Sequence, residues 1–173
     1  MFYGIKNAYY CTKDGSPVRL PGAVGLNVDN GVEYITKRLF NSDGVIIEKP
    51  VAVTEGVSSI SLQIADLPIT FLTDLFGYKI NKDNVLIEYM QRDIVPFTLL
   101  FETTTTNSGK CRALYYECYC KKPNFNVSTV EETVKLEARS LDIIATGNPM
   151  SASITETQNK DVFDNWFEKV YKC

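Results

Sequence analysis

The pattern that most limits the fold of this chain is a strict alternation of apolar and polar side chains. It is clearest after position 57, where Ile60, Leu62 and Ile64 alternate with two serines and a glutamine. A period of two residues is typical of a β-strand that buries one face. The run Ala23–Asp29 alternates in the same way, and further strands are predicted at Val85–Tyr89, Pro96–Thr103 and Arg112–Lys121. The sequence therefore predicts a mainly β fold.

Three details of these strands can be predicted from local sequence. Asn30-Gly31 precedes a second alternating run at 32–36, and Asn-Gly between two such runs favours a type I′ hairpin, because both central residues need positive φ. In the run 133–146 the apolar positions change phase, so we expect a β-bulge near Arg139-Ser140. Uninterrupted alternation in 112–121 predicts one shared face for Leu114, Tyr116, Cys118 and Cys120.

Two segments have a helical period instead. Leu67–Phe76 has apolar residues at every fourth position, with Asp66 as the expected N-cap, Pro68 in the first turn and Gly77 at the C-cap. The segment 161–172 has a wide apolar stripe that must pack on its own domain or on a neighbouring subunit. We expect the main packing residues of this stripe to be Phe163, Trp166, Phe167 and Val170.

The predicted fold class is therefore mainly β, with two packed antiparallel sheets forming a β-sandwich or partial barrel, a flanking α-helix and a C-terminal helix. Residues 1–147 are expected to form the β domain. Residues 148–173 are expected to form a linker, over 148–159, followed by the amphipathic helix. The irregular composition of 36–56 predicts a long loop between two strands, and Pro50 argues against a central strand there.

Composition excludes several classes of function. Histidine is absent, which removes the commonest general base and metal ligand, so serine and cysteine triads of the usual kind are not expected. The net charge is −3 with no basic cluster, which argues against tight binding of nucleic acid through its phosphates. No apolar stretch approaches the ~20 residues of a membrane span, and no signal peptide is expected. We expect a non-enzymatic protein without a cofactor, with its five cysteines reduced in a cytoplasm.

Three possible sites of chemistry remain, and each has a simpler explanation. Cys118 and Cys120 could begin a metal site, but two further ligands are missing from the pattern, and buried small apolar side chains are the more common case. The tyrosines could stack on sugars or bases, although strand tyrosines usually pack across a sheet. Scattered carboxylates offer pairs at glycosidase distance, as in almost any β-sandwich.

Short blocks along the chain resemble the major tail tube protein family of long-tailed, non-contractile bacteriophages of the siphovirus type. The blocks occur in the family's order over nearly the whole chain, with the exception of 34–56. They are Gly4–Tyr10, Leu20–Val24, Ile64–Tyr78, Asn84–Glu88 with Pro96-Phe97, Tyr115–Cys118 with Lys122-Pro123, and Glu131–Ala145.

The resemblance implies a structural role in a virion tail that assembles in the host bacterial cytoplasm. Members of the family form homohexameric rings that stack into a tube, and viral DNA passes through the lumen without specific binding. The expected partners are other copies of the chain, the tape-measure protein, the tail terminator and distal tail proteins, with no membrane involved. The alternative is a virion-associated β-sandwich module that binds carbohydrate or a host surface, and such a module would stay monomeric.

Two sets of site residues follow from this hypothesis. The loop over 36–56 is expected to reach the adjacent ring, as the corresponding loop does in the family. Its contact residues would include Arg38, Leu39, Phe40, Ile46 and Glu48. DNA must slide past the lumen wall without being held, so acidic residues are expected there. The candidates on predicted strands are Glu33, Glu102 and Glu117.

Overall fold

The computed structural model describes residues 2–13, 15–31, 33–40, 46–54, 57–90, 94–106, 109–124 and 138–172. The strands are β1 (Phe2–Thr12), β2 (Val18–Leu20), β3 (Ala23–Asn30), β4 (Glu33–Phe40), β5 (Ile46–Thr54), β6 (Ser58–Ile64), β7 (Lys79–Ile80), β8 (Leu86–Ile87), β9 (Phe97–Thr105), β10 (Lys110–Cys120), β11 (Arg139–Ala145) and β12 (Ser151–Thr155). The helices are α1 (Ile69–Phe76) and α2 (Lys160–Asp164).

Most of the strands form one large antiparallel sheet, in the order β2-β1-β9-β10-β11-β6-β3. Strand β12 joins this sheet beside the first half of β10. The sheet curls so that β1 approaches β3, and its two halves bury their inner faces in one core. It does not close into a barrel, because within the described part of the chain β2 and β3 each pair on one side only. The mainly β prediction, with a flanking helix and a C-terminal helix, is confirmed.

Helix α1 closes one side of this core with the apolar face that the sequence predicts. Phe71 is fully buried and meets the ring of Tyr10 edge-on at 5.0 Å. Gly77 ends the helix in the left-handed conformation, at φ 66°, as expected. The start of the helix was predicted wrongly: Pro68, and not Asp66, is the N-cap, and no side chain caps the first turn.

The chain between β3 and β6 also differs from its prediction. Strand β3 pairs with β6, and β4 pairs with β5, so the type I′ hairpin expected at Asn30-Gly31 is wrong. The expected irregular loop over 36–56 is wrong as well, because its described residues form most of a β-hairpin. Pro50 is accommodated because this hairpin is a separate two-stranded sheet, without a central strand. In the described residues, β4 and β5 pack extensively only on each other.

A β-bulge in β10 changes which residues share a face. The pairing with β9 shifts register between Tyr115 and Cys118, and Glu117 has a φ of 46°. Beyond the bulge, the alternation restarts in the opposite phase. Leu114 therefore faces the opposite side of the sheet from Cys118, and the shared face predicted for Leu114, Tyr116, Cys118 and Cys120 is wrong.

The remaining strand predictions have mixed outcomes. The strand expected at 85–89 is shorter than predicted, because only Leu86–Ile87 is extended, in a small hairpin with β7. The predicted linker over 148–159 contains β12, which is paired with β10. Residues 133–137 of the last predicted strand lie outside the described residues. From Arg139 onward β11 pairs with β6 without a register shift, so the described part of this strand has no bulge near Arg139-Ser140. The division of the chain at residue 147 stays a prediction.

Candidate assembly surfaces

The outward side of the large sheet is divided into two regions. We call the outward side of β1, β9, β10 and β12 the covered face, because residues 160–172, the C-terminal segment, lie on it. We call the outward side of β3, β6 and β11 the open face. Alternation along the strands determines which residues lie on each, and the bulge at Glu117 marks the border within β10.

The covered face is apolar and is sealed by aromatic side chains. Trp166 is 3% exposed and lies in one cluster with Leu100 and Leu114. Phe167 stacks on Tyr9, with 4.6 Å between ring centroids. The C-terminal helix was predicted to extend over 161–172, but α2 ends at Asp164 and the packing residues continue beyond it in turns. The predicted packing residues all belong to this cluster: Phe163, Trp166, Phe167 and Val170.

Arg112 ties the C-terminal segment to the sheet. Its guanidinium lies 4.0 Å from the ring centroid of Phe163 and 4.8 Å from that of Phe167. The same group pairs with Glu102 at 2.9 Å and donates to the carbonyl oxygen of Phe163. One partly buried cation therefore holds both a strand carboxylate and the backbone of the segment above it.

The open face is polar, and few of its residues are charged. Its two acidic residues are Asp29 and Asp142, and Ser61 and Ser140 share a hydrogen bond at 2.9 Å across β6 and β11. Arg139 begins β11 in the inward phase, so the outward positions of the three strands carry no lysine or arginine. These positions are Asn27, Asp29, Ser59, Ser61, Gln63, Ser140, Asp142 and Ile144.

The three acidic candidates for the lumen lie in different places. Glu33 begins β4, opposite Thr54, at the base of the β4–β5 hairpin. Glu102 is 5% exposed and paired with Arg112, so its carboxylate does not stand free on a solvated face. Glu117 is exposed at the bulge. The structure does not bring the three together. Sequence reasoning chose glutamates and missed the open face, although the alternation of serines in β6 was the signal for it.

The β4–β5 hairpin contains all the residues that were predicted to contact an adjacent ring of subunits. In its register Arg38 is opposite Glu48, and Phe40 is opposite Ile46 at the last described pair. Leu39 lies between them in β4. The hairpin leaves the sheet where β3 and β6 end their own pairing, at Asn30 and Ser58. Its eight-residue and nine-residue strands give a two-stranded arm roughly 27 Å long at ~3.4 Å per residue.

A cluster around Tyr78 anchors the β7–β8 hairpin to the end of β10. The hydroxyl of Tyr78 donates to Glu88 at 2.8 Å, and the Lys122 ammonium pairs with Glu88 and lies 5.3 Å from the Tyr78 ring centroid. The hydrogen bond from Lys122, followed by that from Tyr78, lowers the pKa of Glu88. This anchored segment carries large apolar side chains that are exposed: Ile80, Val85, Tyr89 and Met90.

An apolar groove of about 490 Å³ lies where the curled sheet fails to close. Its walls come from the start of β1 and from β3, and its floor from β9, β10 and β12. Phe101 and Tyr115 stack on the floor, with 6.3 Å between ring centroids. None of the residues that line the groove is charged.

The described residues contain no cluster of three or more histidine, cysteine or acidic side chains that could hold a metal ion. Four cysteines are free thiols and buried: Cys11, Cys111, Cys118 and Cys120. Burial raises the pKa of the Cys118 and Cys120 thiols to about 12. Such thiols are poor metal ligands and nucleophiles, which require the thiolate. No helix in the described residues has the length and apolar character that crossing a membrane requires.

Comparison with known proteins adds only distant likenesses in shape. No family model matches the chain, and no curated protein matches its sequence significantly. One similar solved structure is a chain from the PVC sheath–tube complex of an extracellular contractile injection system in its extended state. It has 10% identity and a TM-score of 0.48 over 86% of this chain and 88% of that chain.

Two further solved structures are similar to the same extent. One is a chain from the tube-terminating cap of the anti-feeding prophage, with 9% identity and a TM-score of 0.44 over 86% of this chain and 88% of that chain. The other is a chain from the PVC sheath/tube terminator in its extended state, with 11% identity and a TM-score of 0.43 over 86% and 93% of the two chains. Likenesses with TM-scores below 0.5 assign no function to the surfaces of this protein.

Proposed function

We propose that this protein is the structural subunit of a phage tail tube, in which hexameric rings stack and the lumen conducts the viral genome. The observation that carries the proposal is the open face beside an unpaired strand edge. Four neighbouring strands, from the second half of β10 through β11 and β6 to β3, present a polar side that no other described residue of the subunit covers as a layer. Strand β3 ends this series, and among the described residues its second edge pairs with no strand, so it can continue a sheet into the next subunit.

The dimensions of such a ring fit the passage of a DNA duplex. Four strands from each of six subunits form a barrel of about 24 strands. At ~4.8 Å between strands and a tilt near 40°, the backbone diameter is roughly 48 Å, and side chains narrow it to about 40 Å. Facing this lumen, the open face offers hydroxyl, amide and carboxylate groups.

The charge of the open face suits a wall that DNA slides past. Lysines in the lumen would displace counterions from the phosphates and hold the duplex in place. The charges on the outward positions of β3, β6 and β11 are those of Asp29 and Asp142, and symmetry repeats them around the ring, while Lys121, one residue past β10, adds a cation at the border. The acidic lining that we propose therefore centres on these two residues, with Glu117 at the border and Glu33 at the base of the arm.

The β4–β5 arm is proposed to join successive rings. It continues from the end of β3 and β6, and among the described strands and helices its two strands have extensive backbone contact only with each other. Arg38, Leu39, Phe40, Ile46 and Glu48 would make the contact. The C-terminal segment, which covers the opposite side of the sheet from the core, would lie on the outside of the tube. The tape-measure, terminator and distal tail proteins would be its partners in the assembled tail.

Negative-stain microscopy of the purified protein tests the proposal. Hollow tubes with a lumen of about 40 Å are the expected result. Deleting Arg38–Lys49 should leave a folded subunit that forms rings but not tubes. Tubes of normal length from that variant would overturn the role of the arm. A protein that stays monomeric at high concentration would overturn the tube and favour the alternative, a virion-associated module that binds carbohydrate or a host surface.

A further inference from the structure

The β7–β8 hairpin and the residues after it expose apolar side chains without an evident use in the isolated subunit. Met90 is 91% exposed, and Ile80, Val85 and Tyr89 are each just over half exposed. These four residues, which we call the knob, belong to a segment that is held in place at Tyr78 and Glu88. Scattered apolar residues are ordinary on a protein surface, whereas several on one anchored segment indicate a contact surface.

The groove has the complementary character. Leu26, Val28 and Ala113 line it and are only partly buried, so apolar surface remains available to an incoming side chain. Its volume of about 490 Å³ lies within the range of roughly 300–1,000 Å³ typical of pockets that enclose ligands. The absence of charge from its lining favours an uncharged, apolar occupant. Strand β3, which forms one wall, is also one of the two end strands of the sheet in the described part of the chain.

The knob and the groove lie at opposite ends of β10. Lys122, just past the end of β10, contacts the base of the knob, whereas Ala113 and Tyr115 form the floor of the groove. The two sites are separated by roughly 20 Å at ~3.3 Å per residue. A subunit therefore cannot fill its own groove with its own knob without being refolded. Two different complementary surfaces on one chain produce head-to-tail contacts, which close into a ring when the rotation between subunits allows it.

We propose that the knob of one subunit inserts into the groove of the next, as the apolar part of the head-to-tail contact within a ring. Met90 and Tyr89 enter the groove between β3 and the start of β1. The occupant is a second copy of this chain. The inference rests on the proposed tube function for its ring, but the pairwise contact can be measured without a tube.

The small area of this contact explains how subunits can remain unassembled before a ring closes. Stable interfaces bury about 800 Å² on each partner, which four side chains do not supply alone. Strand pairing at the edge of β3 would have to form at the same time. A single pair is therefore weak, and a closed ring, in which every subunit makes both contacts, is favoured over open chains.

Site-specific cross-linking tests the contact. A photoreactive benzoyl-phenylalanine replaces Met90, and equal amounts of ¹⁴N- and ¹⁵N-labelled protein are mixed before illumination. Mixed-isotope cross-links between position 90 and peptides that contain residues 4–5, 24–28 or 151–153 are the expected result. Cross-links confined to other peptides, or found only within one copy, would overturn the contact.

A charge variant provides the second readout. Met90→Glu should weaken self-association at least tenfold in sedimentation velocity, because a carboxylate cannot be buried in an uncharged groove at low cost. Ile144→Glu is the matched control: it places the same charge on the open face and should leave association unchanged. Equal association of the Met90→Glu variant and the unmodified protein would contradict the proposal.

The outcomes separate the two proposals. Tubes by microscopy with cross-links outside the groove would sustain the tube function and refute the knob-and-groove contact. Groove cross-links without tubes would sustain the head-to-tail contact and refute the tube. Met90 is almost fully exposed, so neither of the two replacements at position 90 disturbs the core. Unfolding therefore cannot account for a change in cross-linking or in self-association.

Discussion

The covered and open faces belong to one sheet, yet they are built in opposite ways. On the covered face, the outward positions carry Leu100, Arg112 and Leu114, which are sealed by the aromatic residues of the C-terminal segment. On the open face, the outward positions carry serines, Gln63 and Asp142, and no layer formed by the described part of the chain covers them. In both regions every second residue of a strand points into the core. The faces differ because the outward residues are largely apolar on the covered face and largely polar on the open face.

This contrast shows where the subunit stabilises itself and where it is available to others. Covering a sheet face requires apolar side chains and a segment to bury them, and the protein has used its C-terminal segment for that purpose. Leaving a face uncovered requires polar side chains that are satisfied by water. A face of that kind contributes little to stability, which leaves its composition free to serve assembly or the passage of a charged polymer.

The largest effect should come from removing the seal on the covered face. We expect the double change Trp166→Ala and Phe167→Ala to lower the free energy of unfolding by about 3–5 kcal/mol, since loss of one buried aromatic side chain costs this much. Urea denaturation measures the change. The matched control on the open face is Ile144→Ala, which should cost less than about 0.5 kcal/mol. Equal effects at the two sites would remove the distinction between the faces.

Stability at alkaline pH should show that water does not reach the buried side of the sheet behind the open face. Cys118 and Cys120 lie in the main core, on the side of the sheet opposite the open face. Burial raises the pKa of both thiols from 9.0 to about 12. The folded protein therefore retains protons that the unfolded chain releases above pH 9, and stability is lost as the pH rises from 9 towards 12. The expected loss is about 1.4 kcal/mol per thiol by pH 10, or about 3 kcal/mol for the pair.

Chemical denaturation at pH 8 and pH 10 measures this loss. The double variant Cys118→Ala with Cys120→Ala should show a smaller loss of stability between the two pH values, even though it is less stable at pH 8. An unchanged pH dependence in the variant would mean that water reaches these thiols in the folded state.

Intact-mass measurement after alkylation under denaturing conditions, without reductant, should show all five cysteines modified.

The Arg112–Glu102 pair on the covered face should have a smaller effect. Arg112→Met should cost about 2 kcal/mol, between the values for exposed and for fully buried pairs, because Glu102 is then left buried without a partner. Adding Glu102→Leu to this variant should restore part of the stability, because the unpaired carboxylate is removed. A double-mutant cycle by urea denaturation measures the coupling. Simple additivity of the two changes would show that the pair does not hold the segment.

Much of the fold could be predicted from the sequence where one period persists over a whole element. Strand β6 and the buried face of α1 were predicted because alternation and the helical repeat continue without interruption. The aromatic residues from Phe163 to Val170 were identified for the same reason, since so wide an apolar stripe must be covered. Local periodicity determines which side is buried, and these elements require no further information.

The predictions that were wrong depended on pairing between distant residues. Asn30-Gly31 has the composition of a tight turn, but β3 gains more by pairing with β6, where Leu26 and Val28 join the core. The β4–β5 hairpin was missed because Pro50 argued against a strand of a larger sheet, whereas the described residues of β4 and β5 form a separate two-stranded sheet. The open face was missed because the serines of β6 indicate a polar side of one strand, whereas the extension of that side over β3 and β11 depends on pairing between distant residues.

The smallest effect concerns the bulge that separates the two faces. Glu117 has a φ of 46°, which costs a residue with a side chain about 1 kcal/mol and costs glycine nothing comparable. Its carbonyl oxygen accepts from the backbone N–H and the hydroxyl of Thr146, so the conformation is held by β11. Because the bulge reverses the phase of β10, Arg112 and Leu114 point to the covered face before it and Tyr119 points to the open face after it.

Replacing Glu117 separates its backbone from its charge. Glu117→Ala removes the carboxylate and keeps the Cβ atom, whereas Glu117→Gly removes both. We expect the glycine variant to be more stable than the alanine variant by about 1 kcal/mol, because glycine adopts positive φ without strain. Urea denaturation at low and high salt checks the order. If the two variants were equally stable and both differed from the unmodified protein only at low salt, the carboxylate would matter at this position and the backbone conformation would not.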